Sequence, residues 1–529
     1  MKANQKISLF VSLKRLFGLC RPFRFFLIVC VFVIIVSISF TIFTPLLFAR
    51  AIDLILDGSL KSIMNTGGID FVTLGKLLLC CVFLYFVSAV ASSFQSWILA
   101  GVANKVGQNL RNQIDAKLNR LPISYFDSHR SGDTLALIIN DVNAVTMGLN
   151  QGFPQIFVGV LTVTGVLTIM FITDWLMTLA ALSILPLSAF FLPMIMGRSQ
   201  SHLRFLQEYI GRISGVTDEV LSGHFIVKSC NRESKTIEDF ERMNQQLRNT
   251  ARLSLFYSTL IMPFMFLAIN CSYVLLCVVG GFCTVWGRIT VGEIQAFLQY
   301  SHLLSQPLGQ IAGLAGTIQQ MLASVERITI LLEEPEESPE INNVPAIFVT
   351  EGEVCFEHVR FGYLPEQTII HDFSLTVKQG QKVAIVGPTG AGKTTLVKLL
   401  MRFYDVDGGK ISVDGYDIRD YPRHELRGRF GMVLQETWLY SNTIRENIRY
   451  GNEAASEADI ISASKNAYAD NFIRTLPKGY DLILSEEANN ISQGQKQLLT
   501  IARVLLTNPK ILILDEATSA VDTHTELLI

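Results

Sequence analysis

The sequence predicts two unlike halves: an α-helical membrane domain of six transmembrane helices with long cytoplasmic extensions, followed by an α/β domain of the P-loop type. Three observations carry this reading. Hydrophobic residues make up 50% of the 529 and charged residues only 17%, a more apolar balance than soluble chains show. Six apolar stretches, near 24–48, 74–100, 154–173, 175–197, 256–284 and 291–315, each reach the roughly 20 residues that a helix needs to cross a bilayer. After them the pattern changes to alternating strands and helices, with a glycine-rich loop between one strand and the next helix.

At the N-terminus, "SLKRLFGLCRPFRFF" mixes basic and apolar residues and reads as an interfacial helix within 1–22, not as a cleaved signal, since no small-residue cleavage site follows a short apolar core. The third and fourth spans are joined only by "ITDW", which makes them a tight hairpin. No span has a charge near its centre, which argues against a proton relay. Basic residues cluster before the first span (Lys14, Arg15, Arg21, Arg24), after the second (Lys105, Arg111, Lys117, Arg120, Arg130) and after the fourth (Arg198, Arg204, Arg212, Lys228, Arg232). The positive-inside rule therefore places the N-terminus, both long loops and everything beyond the sixth span in the cytoplasm. Those loops contain "NKVGQNLRNQIDAKLNRL" and "FERMNQQLRNTARLSLF", helical in period, and break at "PISYFDSHRSGD" and "EVLSGHFIVKS". Helical arms with short tips are expected to dock another domain. The net charge of −2 gives no reason to expect nucleic acid, and neither the nine cysteines nor the eight histidines have metal-ligand spacing.

The membrane domain is expected over 23–332, an acidic proline-containing linker over 333–345, and the α/β domain over 346–529. In "QKVAIVGPTGAGKTTLVKLL" a buried apolar strand leads through Gly387, Gly390 and Gly392 to Lys393 and Thr394, satisfying G-x-x-x-x-G-K-[ST] in strand–loop–helix context. The glycines let backbone N–H groups wrap phosphates, Lys393 neutralises the β and γ groups, and Thr394 ligates Mg²⁺. Thr395 joins the nucleotide-binding set. "ILILDEATSAVD" reads as a central parallel strand covered on both faces; Asp515 at its end is placed to hold the Mg²⁺ shell, and Glu516 to polarise an attacking water.

Together with "ISQGQ" (Ile491 to Gln495) and "SAVD" (Ser519 to Asp522), these motifs resemble the ATPase of ABC transporters, and the six-span layout with long arms is similar to the exporter type of half-transporter. The resemblance covers essentially the whole chain. It implies ATP and Mg²⁺ as cofactors, Tyr363 of "VRFGY" stacking on adenine, Gln435 as the Q-loop glutamine reaching Mg²⁺ and water, and Ser492, Gly494 and Gln495 as the signature. It further implies Asp522 as the D-loop aspartate and coupling helices near Ser124 to Ser131 and Leu221 to Val227. Two such ATPase domains pair head to tail, so the signature helix faces a phosphate held by the partner's P-loop.

The sequence departs from the family pattern in three ways. Ile491 and Gln493 replace the leucine and first glycine of LSGGQ; "LSEEA" puts Ser485 and Ala488 where V-G-E-x-G has glycines; and no switch histidine follows, His524 being too near Glu516. The last departure leads us to expect a C-terminally truncated ATPase domain of doubtful activity. Gln493 adds bulk where a glycine would let the partner's nucleotide approach, which points to a heterodimer with a second half-transporter, a homodimer being the alternative. The expected function is ATP-driven export or flipping of a small hydrophobic or amphiphilic substrate across the cytoplasmic membrane. The alternatives are an ATP-gated channel or regulatory membrane protein, or a hydrolysis-deficient subunit. Met262, Phe264, Met265, Phe266, Phe282 and Phe297 make a candidate wall for lipid-like molecules.

Overall fold

The computed structural model describes residues 15–16, 18–66, 68–338, 340, 352–364, 366–388, 390–434, 437–485 and 488–515, except for the side chains at 184–185, 187–193, 196, 199–201, 261, 265, 306 and 308–315. Most of the expected interfacial helix, the linker beyond 340, and Gln435, Glu516 and Asp522 lie outside the described residues. The chain divides into two units: residues 1–117 with 132–334, and residues 118–131 with 335–529.

The first unit is helical. Its long elements are α1 (Arg24–Ile63) and α2 (Phe71–Leu118), then, after a short α3 (Ile123–Ser128) that belongs to the second unit, α4 over 131–173. A short α5 (Trp175–Ala181) is followed by α6 (Ile184–Ser222), α7 (His224–Ser229), α8 (Glu233–Val285) and α9 (Val291–Glu333). Among the described residues four helices, spanning 18–63, 71–118, 131–173 and 233–285, are long and apolar enough to cross a membrane. The expected fourth span falls on α5 and the first part of α6, with a turn at 182–183 between them, and the sixth falls on α9; many side chains of α6 and α9 are outside the described set. Both arms continue as helix beyond their apolar stretches, and the breaks expected at their tips are the short helices α3 and α7.

Local chemistry explains the ends of these helices. The "ITDW" joint is a helix break in which Asp174 accepts from the Met177 amide at 2.9 Å and from Arg288 at 2.9 Å, so one buried carboxylate caps α5 and anchors the turn before α9. Thr290 and Glu293 form a reciprocal capping box at the start of α9. Here Gly292 is obligatory: its amide reaches Asp53 at 2.8 Å, and a Cβ would run into the Ala49 carbonyl. The core gathers Ile42, Val166, Met170, Met177, Leu276, Phe297 and Tyr300. Phe297 is 1% exposed and belongs to this core, not to a substrate-facing wall; Met262, Phe266 and Phe282 are exposed.

In the second unit an antiparallel sheet runs in the order β2 (Ile370–Val377), β1 (Val354–Phe361), β3 (Gly408–Val413), β4 (Tyr416–Asp417). A separate parallel pair joins β5 (Phe430–Val433) to β6 (Ile511–Leu514). Helix α10 (Lys393–Leu400) packs Leu396, Leu399 and Leu400 against the antiparallel sheet in one apolar core. A second core surrounds α15 (Gln493–Leu506) with α12 (Ile444–Arg449), α13 (Glu457–Asn466) and α14 (Asp470–Thr475); α11 (Arg423–Arg427) precedes β5.

Two strand expectations are corrected. Residues 381–388 form no ladder, and Val383, Ile385 and Val386 are exposed. An apolar run becomes a strand only where a neighbour supplies partner N–H and C=O groups, and none among the described residues does so there. Strand β6 is covered on one face only: Ile511 and Ile513 pack inward, whereas Leu512 and Leu514 are 47% and 48% exposed.

Candidate functional site

The glycine-rich loop is built for close approach of its backbone. Gly390 and Gly392 have φ of 85° and 90°, the left-handed region that side chains resist, and Gly392 caps α10. Lys393, the first residue of that helix, curls back so that its ammonium donates to the carbonyls of Gly387 at 2.8 Å and Pro388 at 3.1 Å. A cation held at a helix N-terminus, where unpaired amides already favour negative charge, makes an anion site.

Beside it, Thr394 donates from its hydroxyl to Asp515 Oδ2 at 3.1 Å, a contact between residues 121 apart in sequence. Asp515 is brought there because its amide extends the β5–β6 ladder to the Val433 carbonyl at 3.0 Å. A hydroxyl and a carboxylate side by side suit a hard cation. Magnesium at a polyphosphate takes one or two protein oxygens and completes its octahedron with phosphate and water. The residues therefore fit the metal.

Tyr363 follows β1 and is 42% exposed. Phe361 and Tyr404 each meet its ring edge-on at 5.1 Å, and its hydroxyl lies 3.3 Å from Thr395 Oγ1. Such a fixed aromatic beside a phosphate-binding helix can stack on a purine. Three residues that sequence reading missed surround it. Lys398 Nζ lies 5.9 Å from the Tyr363 and Tyr404 ring centres, and Asp127 of α3 accepts from Lys398 at 2.8 Å and from the Tyr404 hydroxyl at 2.7 Å. Asp127 lies in the arm tip expected to dock another domain and Lys398 in the helix after the glycine-rich loop, but nothing in the sequence marks their pairing, because the two stand 271 residues apart.

At the start of α15 the side chains of Ser492 and Gln495 satisfy each other. The Gln495 amide donates to Ser492 Oγ at 3.2 Å, and the Ser492 amide to Gln495 Oε1 at 2.9 Å. Gly494 follows in the first turn, and no hydrogen bond among the described residues joins 492–495 to 387–395. The Gln493 amide group turns aside to donate to Thr437 Oγ1 at 3.1 Å. Farther along α15, Arg503 donates to the carbonyls of Trp438 at 3.0 Å and Asn447 at 2.8 Å, and burial draws its pKa below the usual guanidinium value. Helix α15 thus holds the segment after Gln435 at two points. Ala488, standing at a family glycine position, has φ of 51°, a conformation that costs a non-glycine residue roughly 1 kcal/mol.

Comparison with known proteins follows the same division. Residues 27–308 match the family described as ABC transporter transmembrane region, and residues 370–519 the one described as ABC transporter. A fatty acid ABC transporter ATP-binding/permease protein of Mycobacterium bovis is 42% identical over 462 residues, covering 87% of this chain and 73% of that protein. An ATP-dependent lipid A-core flippase of Syntrophus aciditrophicus is 29% identical over 527 residues, covering 99% of this chain and 85% of its own length. Among solved structures, a bacterial Atm1-family ABC exporter with ATP bound superposes with a TM-score of 0.73 at 27% identity, covering 96% of this chain and 88% of that one.

Proposed function

Because the chain belongs to the ABC transporters, a transmembrane region fused to an ATPase that couples ATP hydrolysis to transport, we propose that it is one half of a dimeric exporter moving a fatty-acyl, lipid-like or otherwise amphiphilic molecule across the cytoplasmic membrane. The observation that carries the catalytic half is the pairing of Thr394 with Asp515 beside Lys393. The relatives named for fatty acid and lipid A-core support the substrate class. In this reading six spans cross the membrane, with the N-terminus and ATPase domain in the cytoplasm.

Each residue then has a stated part. Lys393 and the amides of Gly387, Gly390 and Gly392 hold the β- and γ-phosphates, Thr395 belongs to the same nucleotide-binding set, and Tyr363 stacks on adenine. Thr394, Asp515 and Gln435 hold Mg²⁺, which when bound neutralises charge developing on the phosphate oxygens. Glu516 orients and deprotonates the attacking water. Ser492, Gly494 and Gln495 present the α15 terminus to the γ-phosphate on the partner's P-loop, and Asp522 lies at the same junction. ATP between the two subunits favours the closed pair, and loss of the γ-phosphate removes the charge that held it.

The second subunit is expected to be a different half-transporter. Gln493 puts a side chain at a glycine position of the signature; its amide group is held by Thr437, but its Cβ still narrows the approach to the α15 terminus, whereas Lys393, Thr394 and Asp515 on this chain are intact. Lys393→Ala should weaken ATP binding and Glu516→Gln should keep binding while abolishing turnover. ATPase assays of the purified full-length protein, alone and with an exporter-like half encoded beside its gene, test the pairing. Full activity alone, unchanged by Gln493→Gly and by the neighbour, rejects the heterodimer. ATPase activity in liposomes should rise with long-chain fatty acids or lipids. Stimulation by none of them, but by hydrophilic peptides, rejects the substrate class.

A further inference from the structure

Helix α3 lies by sequence between the long helices α2 and α4, yet residues 118–131 are grouped with the nucleotide-binding unit. One side chain fastens it there, beside the backbone bond from the Glu337 amide to the Arg120 carbonyl at 3.0 Å. The Asp127 carboxylate takes two hydrogen bonds on the same oxygen, from the Lys398 ammonium at 2.8 Å and the Tyr404 hydroxyl at 2.7 Å. Charge-assisted bonds of this kind are short and strong. Burial raises the carboxyl's pKa, but the Lys398 and Tyr404 bonds outweigh it and hold Asp127 below the ordinary carboxylate range. Burial first, and then the same carboxylate, push the Tyr404 phenol up. The pair therefore keeps one donor–acceptor arrangement throughout the neutral range.

Both donors lean on Tyr363. The Tyr404 ring meets it edge-on at 5.1 Å, and Lys398 Nζ lies 5.9 Å from each of the two ring centres. Phe361 abuts Tyr363 at 5.1 Å and Tyr404 at 5.6 Å, closing a three-ring cluster. The Tyr363 hydroxyl is fixed by Thr395 at 3.3 Å. A half-exposed tyrosine would otherwise lose rotamer freedom each time a base stacked on it, so a ring clamped in advance binds more tightly. Without the carboxylate, Tyr404 loses its acceptor and Lys398 is free to leave the two rings for solvent. The clamp then loosens at both of its outer contacts.

We propose that Asp127 is a positioning residue for the nucleotide base: through Tyr404 and Lys398 it holds the Tyr363 ring in the orientation that stacks on adenine, so the segment between α2 and α4 sets ATP affinity. The inference rests on the assignment of Tyr363 as the base-stacking residue.

The test is steady-state ATPase kinetics on the full-length protein reconstituted in lipid nanodiscs, with Tyr404→Phe, Asp127→Asn and Asp127→Ala made alone and combined with Tyr363→Ala. Tyr404→Phe keeps the ring and removes only the bond to Asp127, which guards against a folding artefact. Tyr404→Phe and Asp127→Ala should each raise the KM for ATP about 3- to 10-fold while kcat stays within about 2-fold. Asp127→Asn, which keeps an acceptor without charge, should fall between them and the parent. In the Tyr363→Ala background the same changes should add less than about 2-fold, since the ring they orient is gone. Effects that multiply in that background, or that fall on kcat with KM unchanged, overturn the proposal and place Asp127 in transmission instead. If Tyr363→Ala alone leaves KM unchanged, the base-stacking assignment fails and the proposal with it. If Tyr363→Ala raises KM but the Asp127 and Tyr404 variants do not, the proposal alone fails.

Discussion

At the residue scale, single side chains here do work that a neighbour of similar size could not. Thr394 is the clearest case, because its hydroxyl reaches Asp515 at 3.1 Å while its methyl contributes nothing to that contact. Thr394→Ala should raise the Mg²⁺ concentration needed for half-maximal ATPase activity about 10- to 100-fold, and Thr394→Ser should restore most of it. A magnesium titration checks this, and unchanged magnesium dependence in the alanine variant would remove Thr394 from the metal's coordination. Asp470 has a different role. It is buried and accepts from Arg474 Nε at 2.9 Å and the Tyr480 hydroxyl at 2.9 Å. Burial pushes its pKa up, but those two partners prevail and hold it below the ordinary value. A carboxylate depressed in the folded state stabilises above its unfolded pKa of about 3.9 and ceases to do so as pH falls through its folded value. Asp470→Asn should cost about 1–3 kcal/mol near neutrality and flatten the acid limb of thermal unfolding measured between pH 3 and pH 6.

At the element scale, the ends of helices and the segments they hold matter more than helix propensity. Asp174 both caps α5 and pairs with Arg288, so its two functions can be separated. Asp174→Asn keeps an acceptor for the Met177 amide but loses the ion pair, whereas Asp174→Ala loses both. The alanine variant should be less stable than the asparagine variant by about 1 kcal/mol, the usual value of a cap, in thermal unfolding of the detergent-solubilised protein. Equal stabilities would show that the cap contributes nothing. Helix α15 similarly fastens the segment after Gln435, with Gln493 on Thr437 and Arg503 on Trp438 and Asn447. The glutamine expected to crowd the interface with a partner is thus drawn to a neighbour within its own unit.

At the scale of the whole molecule, the cysteines offer a direct test of topology. Cys230 is exposed just after α7, and Cys277 is exposed within the apolar part of α8. With the proposed orientation, a membrane-impermeant maleimide should label a single-cysteine variant retaining Cys230 only after the cells are opened. A variant retaining Cys277 should resist the same reagent under both conditions. Labelling of Cys230 in intact cells would invert the orientation.

How much was legible follows from how far each feature reaches along the chain. The apolar stretches, the helical period of the arms and the glycine-rich loop each rest on residues close together in the chain. Helix period, turn geometry and cap chemistry are local, so spacing alone determines them. The proximity of Asp515 to Thr394 was inferable only through the motif pair, and the bond itself is a product of the β5–β6 ladder. Burial was misjudged where it depends on neighbours from elsewhere in the chain: residues 381–388 found no ladder partner among the described residues, β6 is covered on one face, and Phe297 went into the core. Asp127 beside Lys398 and Tyr404, Asp174 beside Arg288, and Gln493 beside Thr437 could come only from the tertiary structure. Contacts between residues tens to hundreds of positions apart have no period and no spacing, since packing and not sequence distance decides which side chains meet.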